Sequence, residues 1–282
     1  MPGEPQHIHI SASQRLLDLR LREVWQYRDL IVLFTRRSFV SAYKQTILGP
    51  AWLLISPLLS SLIYWMLFGQ IAQLGTDGAP EFLFYLCGTA VWSFFAACVT
   101  GNAGTFVSHA GLFGKVYFPR LTVPISNVLS ALVRYAVQLL LVIGFLVPYA
   151  VRGAVTPHGW AWLLIPVILL QLGLLGMGCG ILISALTTKY RDLSVLVSIG
   201  MQLWMFATPV VYPLSRVPEG ALRTAILLNP VTAPIELLRY AVLGVGAVLP
   251  GRLAASAAVT VLMLLLGIVL FNRVERTFMD TV

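Results

Sequence analysis

Charge is what this chain has least of. Only 11% of its 282 residues are Asp, Glu, Lys or Arg, against about 25% in a soluble domain. Apolar residues make up 58% and the mean hydropathy is +0.85. A soluble globule of this size could not bury that much apolar surface. Composition therefore excludes a soluble enzyme, a disordered chain and a disulfide scaffold, and the chain reads as an integral membrane protein. Cysteine is also scarce. Cys87, Cys98 and Cys179 sit inside apolar runs, and the first two lie about 16 Å apart along one helix, so neither a disulfide nor a cysteine metal site is expected. His7, His9, His109 and His158 are scattered without ligand spacing. The first thirty residues lack an uninterrupted apolar core beside a small-residue cleavage site, so no signal peptide is expected and the N-terminus should stay in the cytoplasm.

What is present is a series of long apolar runs. Six are long enough to cross a bilayer, which takes about 20 residues each: Ala51–Ile71, Phe82–Gly104, Val123–Tyr149, Ala161–Thr187, Leu193–Tyr212 and Leu253–Asn272. The alternation of a barrel is absent, and lipid offers no partner to open backbone groups, so the spans should be helices. With the N-terminus inside, thirteen Lys and Arg fall on the cytoplasmic side, from Arg15 to Lys44 and at Lys115, Arg120, Lys189, Arg191, Arg273 and Arg276. Five (Arg152, Arg216, Arg223, Arg239 and Arg252) fall outside, and Arg134 alone lies within a span. This bias predicts both termini inside. It also accounts for the net charge of +8 without a nucleic-acid partner. Val231–Val248 is apolar enough for a seventh helix, but it carries Glu236 and Arg239, opens at Asn229-Pro230 and contains Pro234. It reads as a re-entrant or interfacial pair of short helices within an outer region at 214–250.

The N-terminal fifty residues differ in kind. Ser11 to Gln14 could form a capping box, and two stretches follow in which Arg and Asp interleave with apolar residues. These predict amphipathic helices lying in the cytoplasmic interface, or simply a positive anchor. The expected organisation is thus an interfacial region at 1–50, a six-span domain at 51–272 and a cytoplasmic tail at 273–282.

All eleven acidic residues lie outside the six spans as drawn. Proton- and ion-coupled transporters place ionisable groups in mid-membrane, and Arg134 without a carboxylate makes a poor relay. Nor do the spans show the paired broken helices of an inverted-repeat transporter. The nearest approach to a phosphate-binding loop, Gly111 to Val116, lacks the Gly at position 109 and the Ser or Thr at 116 that the chemistry needs. Clustered catalytic acids are missing too. Tyr190-Arg191-Asp192 is the only acidic–basic cluster in a short cytoplasmic turn, and Asp192 reads more simply as a helix cap. Uphill movement would have to be powered by a separate subunit.

Five ordered blocks carry a likeness. Tyr43-Lys-Gln-Thr-Ile-Leu-Gly-Pro-Ala-Trp52 precedes the first span, Gly114-Lys-Val-Tyr-Phe-Pro-Arg120 and Lys189-Tyr-Arg-Asp-Leu193 occupy the cytoplasmic loops, Pro209-Val-Val-Tyr-Pro213 with Asn229-Pro230 flanks the outer region, and Glu275-Arg-Thr-Phe-Met-Asp280 closes the chain. From about residue 25 onward the sequence resembles the membrane subunits of type-2 ABC exporters of bacterial polysaccharides, which export O-antigen, capsular polysaccharide or teichoic acid. Pro50 and Arg134 stand apart from that pattern.

The resemblance implies an obligate homodimer in the bacterial inner membrane, paired with two P-loop ATPase subunits that bind ATP and Mg; this chain would hold no cofactor. The dimer would pass a lipid-linked polysaccharide outward, leaving room for periplasmic and outer-membrane export partners. Lys115, Tyr117, Phe118, Pro119 and Arg120 would dock the ATPase, with a second contact from Arg191 and Asp192. Tyr43, Lys44, Leu48, Gly49 and Trp52 would line the cytoplasmic mouth, where a lipid pyrophosphate needs a cation; Lys44 suits ordinary lipid headgroups equally. Tyr64, Trp65, Tyr85, Trp92, Phe95 and Arg134 are candidates for the translocation path, since sugars slide along aromatic faces, although Trp and Tyr also crowd membrane interfaces generically. Pro209, Tyr212, Pro213, Asn229, Pro230, Glu236 and Arg239 would form an outer gate, with Glu236 and Arg239 spaced to pair with each other. The alternatives are a type-2 exporter of drugs or lipids and a membrane-bound glycan-modifying enzyme.

Overall fold

The computed structural model describes residues 21–44, 46–106, 108, 111, 118–187 and 193–279. All regular structure among them is helical. Five helices are long and apolar enough to cross a membrane, and a sharply bent helix pair makes a sixth candidate.

The N-terminal helices α1 (Leu21–Gln26) and α2 (Arg28–Tyr43) meet at a turn on Tyr27. Helix α2 packs lengthwise on the first half of α5 (Thr122–Val151). Thr35 Oγ1 donates to the Ile31 carbonyl at 2.8 Å and reaches the Ser126 carbonyl at 3.4 Å. Val32, Leu33 and Val40 remain exposed on its other side.

A 3₁₀ turn at Gly49–Ala51 leads into α3 (Trp52–Tyr64). Gly49 sits at φ +50° with no atom near a would-be Cβ, so the turn needs glycine for its backbone angle rather than for room. Helix α3 continues as a π-helical stretch, Trp65–Ile71. The widened turn brings Trp65 and Gln70 to the same side, where both donate to Glu81 Oε2, at 2.9 and 2.8 Å.

Helix α4 (Glu81–Ala103) is the hub. It is apolar all round and buried on most faces, as a helix surrounded by others must be. Its one open stripe is Ser93, Thr100 and Gly101. Helix α7 (Ile165–Thr187), entered through the short α6 (Gly159–Trp162), lies against α4 at close range. A Cβ at Gly176 would stand 2.5 Å from Cys98 Cβ, and one at Gly180 would stand 2.5 Å from Asn102 Cβ. At these two positions the small residue is what lets the helices approach. Gly178, on another side of α7, gives the same access to α11 (Pro250–Met279).

Helix α8 (Leu193–Phe206) differs from expectation. The apolar run predicts a span to Tyr212, but the helix stops after 14 residues, about 21 Å. Two causes are visible at its end. Pro209 has no amide hydrogen to continue the ladder, and Asn229 Nδ2 takes the Ala207 carbonyl at 3.2 Å. Beyond a 3₁₀ turn at Leu214–Arg216 come α9 (Ala221–Leu228) and α10 (Thr232–Leu243), bent 81° apart at Asn229-Pro230. Helix α10 is almost wholly buried.

Two apolar clusters result. The larger joins α4, α5, α7, α8 and α10. The smaller lies at the α2 end, where Phe106 and Phe271 stack at 4.4 Å and Ile31, Phe118, Leu121 and Ile181 gather around them. Large apolar residues cover the outside of α3, α5, α7, α8 and α11, as suits a surface facing lipid or another subunit.

Candidate functional site

The α9–α10 end is closed by an arginine. Arg239 is 1% exposed. Its Nη1 donates to the Pro209 carbonyl at 2.6 Å and its Nη2 to the Val210 carbonyl at 2.5 Å. Nη1 also faces Glu236 Oε1 at 3.4 Å, and the guanidinium lies 3.8 Å from the centre of the Phe84 ring. Glu236 Oε2 accepts the Ala247 amide at 3.3 Å. The charges of the pair face each other and both Nη groups are bonded, while the buried Nε of Arg239 has no hydrogen-bond partner among the described residues. The pair ties α10 to the segment after α8, across a site where Gly88 makes room: a Cβ there would stand 2.6 Å from the Val210 carbonyl and 2.8 Å from Nη2.

Asn229 is the second knot. Its Oδ1 accepts from Trp204 Nε1 at 3.2 Å and from the Val231 amide at 3.1 Å. Its Nδ2 donates to the Ala207 carbonyl and to Thr208 Oγ1, at 3.2 and 2.7 Å. Both lone pairs of the amide oxygen and both hydrogens of its nitrogen are used in this way. The Pro230 carbonyl accepts from Ser256 Oγ on α11, and the Tyr212 hydroxyl donates to the Phe206 carbonyl at 3.1 Å. Six of the seven residues expected at this end take part in these two sets of bonds, and Pro213 is buried next to Tyr212 in sequence. Next to it opens a cleft of about 570 Å³ lined by Trp204, Phe206, Tyr212, Arg216 and Leu222.

At the α2 end the expected docking residues divide. Lys115, Tyr117, Arg191 and Asp192 lie outside the described residues. Phe118 and Arg120 are each 6% exposed. The Phe118 ring meets Phe34 of α2 edge-on at 5.9 Å, so it roots the loop in the body of the subunit instead of projecting from it. The Pro119 and Arg120 carbonyls accept from Thr122 and Val123, starting α5.

The expected mouth residues are open. Lys44 is exposed, Leu48 and Trp52 are 45% and 43% exposed, and Gly49 forms the turn between them. Tyr43 is half-buried. Burial pushes its phenol up, and the nearby positive charge of Arg134 offsets part of that rise.

The expected path residues also divide. Tyr85, Trp92 and Phe95 are buried inside the subunit. Trp92 and Phe95 pack on Trp204, with ring centres 6.4 and 5.1 Å away, and lock α4 to α8. Tyr64 and Trp65 are half-buried. Tyr64 stands at the seam of α3 and α8, where its hydroxyl meets Met205 Sδ at 3.7 Å and Phe68 and Phe206 continue the row. Arg134 is half-buried on α5.

Sequence reasoning missed Phe68 and Phe206, whose helices could not be paired in advance. It also missed Asn127 and Gln138, although their spacing of seven and eleven residues, counted from Asn127 to Arg134 and Gln138, puts all three on one face of α5.

The described residues form a helical body with five helices long and apolar enough to cross a membrane and a bent pair beside them. A model of the ABC-2 type transporter family matches residues 29–243, and the chain belongs to that family. It is 28% identical over 253 residues to the "O-antigen export system permease protein RfbA" of Klebsiella pneumoniae, covering 89% of this chain and 94% of that protein. To the protein of the same name from Myxococcus xanthus it is 29% identical over 265 residues, covering 93% and 98%.

Proposed function

We propose that this chain is the membrane-spanning subunit of an ATP-driven exporter that carries a lipid-linked polysaccharide out across the bacterial cytoplasmic membrane. The observation that supports it most is end-to-end likeness to two O-antigen export permeases, joined to a body with no carboxylate in the middle of its long helices. Such a body has no means of coupling to an ion gradient.

In this reading the six spans are α3, α4, α5, α6–α7, α8 and α11, and α9–α10 is re-entrant on the outer side. Both termini and α2 lie on the cytoplasmic side, following the lysine and arginine bias. Residues 1–50, 51–272 and 273–282 are the interfacial region, the spanning domain and the tail. Two copies form the path along the exposed α3 and α8 surfaces, where Tyr64, Trp65, Phe68 and Phe206 offer aromatic faces to sugar. Two P-loop ATPase subunits bind ATP and Mg and dock on Lys115, Tyr117, Arg191 and Asp192. Their closure moves the loop that Phe118 and Arg120 root, and the Phe118–Phe34 contact passes the displacement to α2. Opening at the far end requires the segment at Pro209–Tyr212 to leave Arg239.

Co-purification with the ATPase, followed by reconstitution in vesicles containing glycan-lipid, tests this. Glycan-lipid should stimulate hydrolysis several-fold, and Lys115→Ala with Tyr117→Ala should abolish the stimulation while the spans stay folded. Hydrolysis indifferent to glycan-lipid, but stimulated by a drug, would replace the polysaccharide with another cargo.

A further inference from the structure

Arg134 is a cation without a partner. It lies twelve residues into α5, about 18 Å from that helix's start. The ring of its neighbour Tyr135 sits 5.5 Å from Phe94, near the middle of α4, so Arg134 is at mid-span depth. It makes no ion pair or hydrogen bond among the described residues. Among the described residues, the carboxylates of the membrane-length helices stand at helix ends: Glu275 in the last turns of α11 and Glu81 at the start of α4, the latter thirteen residues or about 20 Å from the level of Phe94. An arginine held at such depth costs at least about 2.5 kcal/mol unless something solvates it.

Its surroundings hold further polar groups. Asn127, Arg134 and Gln138 share one face of α5, opposite the apolar face of Ile125, Leu132 and Leu139. Asn127 Nδ2 donates to the Gly101 carbonyl at 3.0 Å, joining that face to the Ser93, Thr100 and Gly101 stripe, the only exposed part of α4. Tyr43, at the end of α2, is within electrostatic reach of Arg134. The buried Oε1 of Gln138, one turn further along α5, has no donor. A half-buried basic group followed by an unpaired acceptor suits an anion followed by a hydroxyl.

We propose that Arg134 is the phosphate-binding cation of a lipid-headgroup site on the Asn127–Gln138 face of α5, beside the end of α2. The phosphate is that of a polyprenyl-type carrier, and Gln138 accepts a hydroxyl of the first sugar. The identity of the carrier rests on the export reading above; the phosphate chemistry does not. Guanidinium matches phosphate through paired donors and is weakly hydrated, which suits it to this depth. The lipid's tail stays in the bilayer while its charged group meets Arg134, so the unpaired charge is neutralised when cargo arrives.

The test uses the full chain in phosphatidylcholine nanodiscs, with radiolabelled farnesyl pyrophosphate as probe and farnesol as its neutral counterpart. Arg134→Gln should weaken probe binding at least tenfold and leave farnesol unchanged. Arg134→Lys, which keeps the charge but loses the paired donors, should weaken probe binding measurably but less than Arg134→Gln does, and Arg152→Gln, just past the end of α5, should have no effect. Phosphatidylglycerol added to the nanodisc separates the sources: failure to displace the probe assigns the site to a pyrophosphate carrier, and equal displacement assigns it to phosphate-bearing lipids at large. Unchanged probe binding in Arg134→Gln overturns the proposal. So does a fall from dimer to monomer by native mass spectrometry with probe binding intact, because Arg134 would then meet a group of the second copy. If glycan-lipid fails to stimulate hydrolysis in the unaltered complex, the export reading falls while the binding result stands.

Discussion

Two arginines sit deep in apolar helices, and their surroundings are opposite. Arg239 on α10 is enclosed by two backbone carbonyls, a carboxylate and an aromatic face. Arg134 on α5 is half-buried beside a polar stripe with no bonded partner among the described residues. A cation whose charge is met from within serves as structure: here it fastens a helix break to the helix that covers it. A cation whose charge is not met marks a place where something from outside completes the site. The difference follows from chain geometry. Thr208-Pro209 breaks α8 and frees carbonyls for Arg239, whereas Arg134 stands inside α5, whose own neighbouring carbonyls are committed to its helical ladder.

The largest effect expected from breaking this contrast is at Arg239. Arg239→Leu strands Glu236 and the carbonyls of Pro209 and Val210, and should cost about 3–5 kcal/mol, seen as loss of the folded species in a detergent-solution thermal melt. A melt unchanged from wild type would show that the pair does not hold this end shut. Gly180→Leu comes next. With backbone and Asn102 within 3 Å of a Cβ, it should separate α4 from α7 and destabilise by about 1–3 kcal/mol or more, without altering headgroup binding. Asn229→Ala deletes four hydrogen bonds of one side chain and should cost about 2 kcal/mol; tryptophan fluorescence should also shift as the Trp204 indole loses its acceptor. Trp65→Phe removes one donor to Glu81, for about 1 kcal/mol, readable in the same melt. Arg134→Gln should have the smallest effect on stability. It removes an unmatched charge, so the melting temperature should stay level or rise; a clear fall would mean that Arg134, like Arg239, is bonded within the assembly.

Much of the fold was legible. Run length located five spans to within a few residues, because crossing a bilayer demands a minimum number of apolar residues in one helix. The exception, at Leu193–Tyr212, was lost through a side chain from elsewhere. Hydropathy registers Ala207 to Tyr212 as apolar, but whether they stay helical depended on Asn229 and Pro209. Glu236 and Arg239 were readable as a pair at three-residue spacing, while their carbonyl partners, some thirty residues away, were not. The aromatics of α4 were visible by type only. Tyr85, Trp92 and Phe95 turn inward and Tyr64 does not, and no hydrophobic pattern could separate them, since lipid and protein interior are equally apolar to a side chain.

By itself, then, the sequence determined that this is a helical membrane protein and roughly where its long apolar helices lie. Those follow from composition and from the distribution of charge along the chain. Which residues lie inside, which faces open to a partner or a cargo, and which of two arginines is already satisfied were decided only by tertiary structure. The physical reason is that solvation of a charge or a ring depends on neighbours brought from distant parts of the chain, and helix periodicity specifies a face without specifying what meets it.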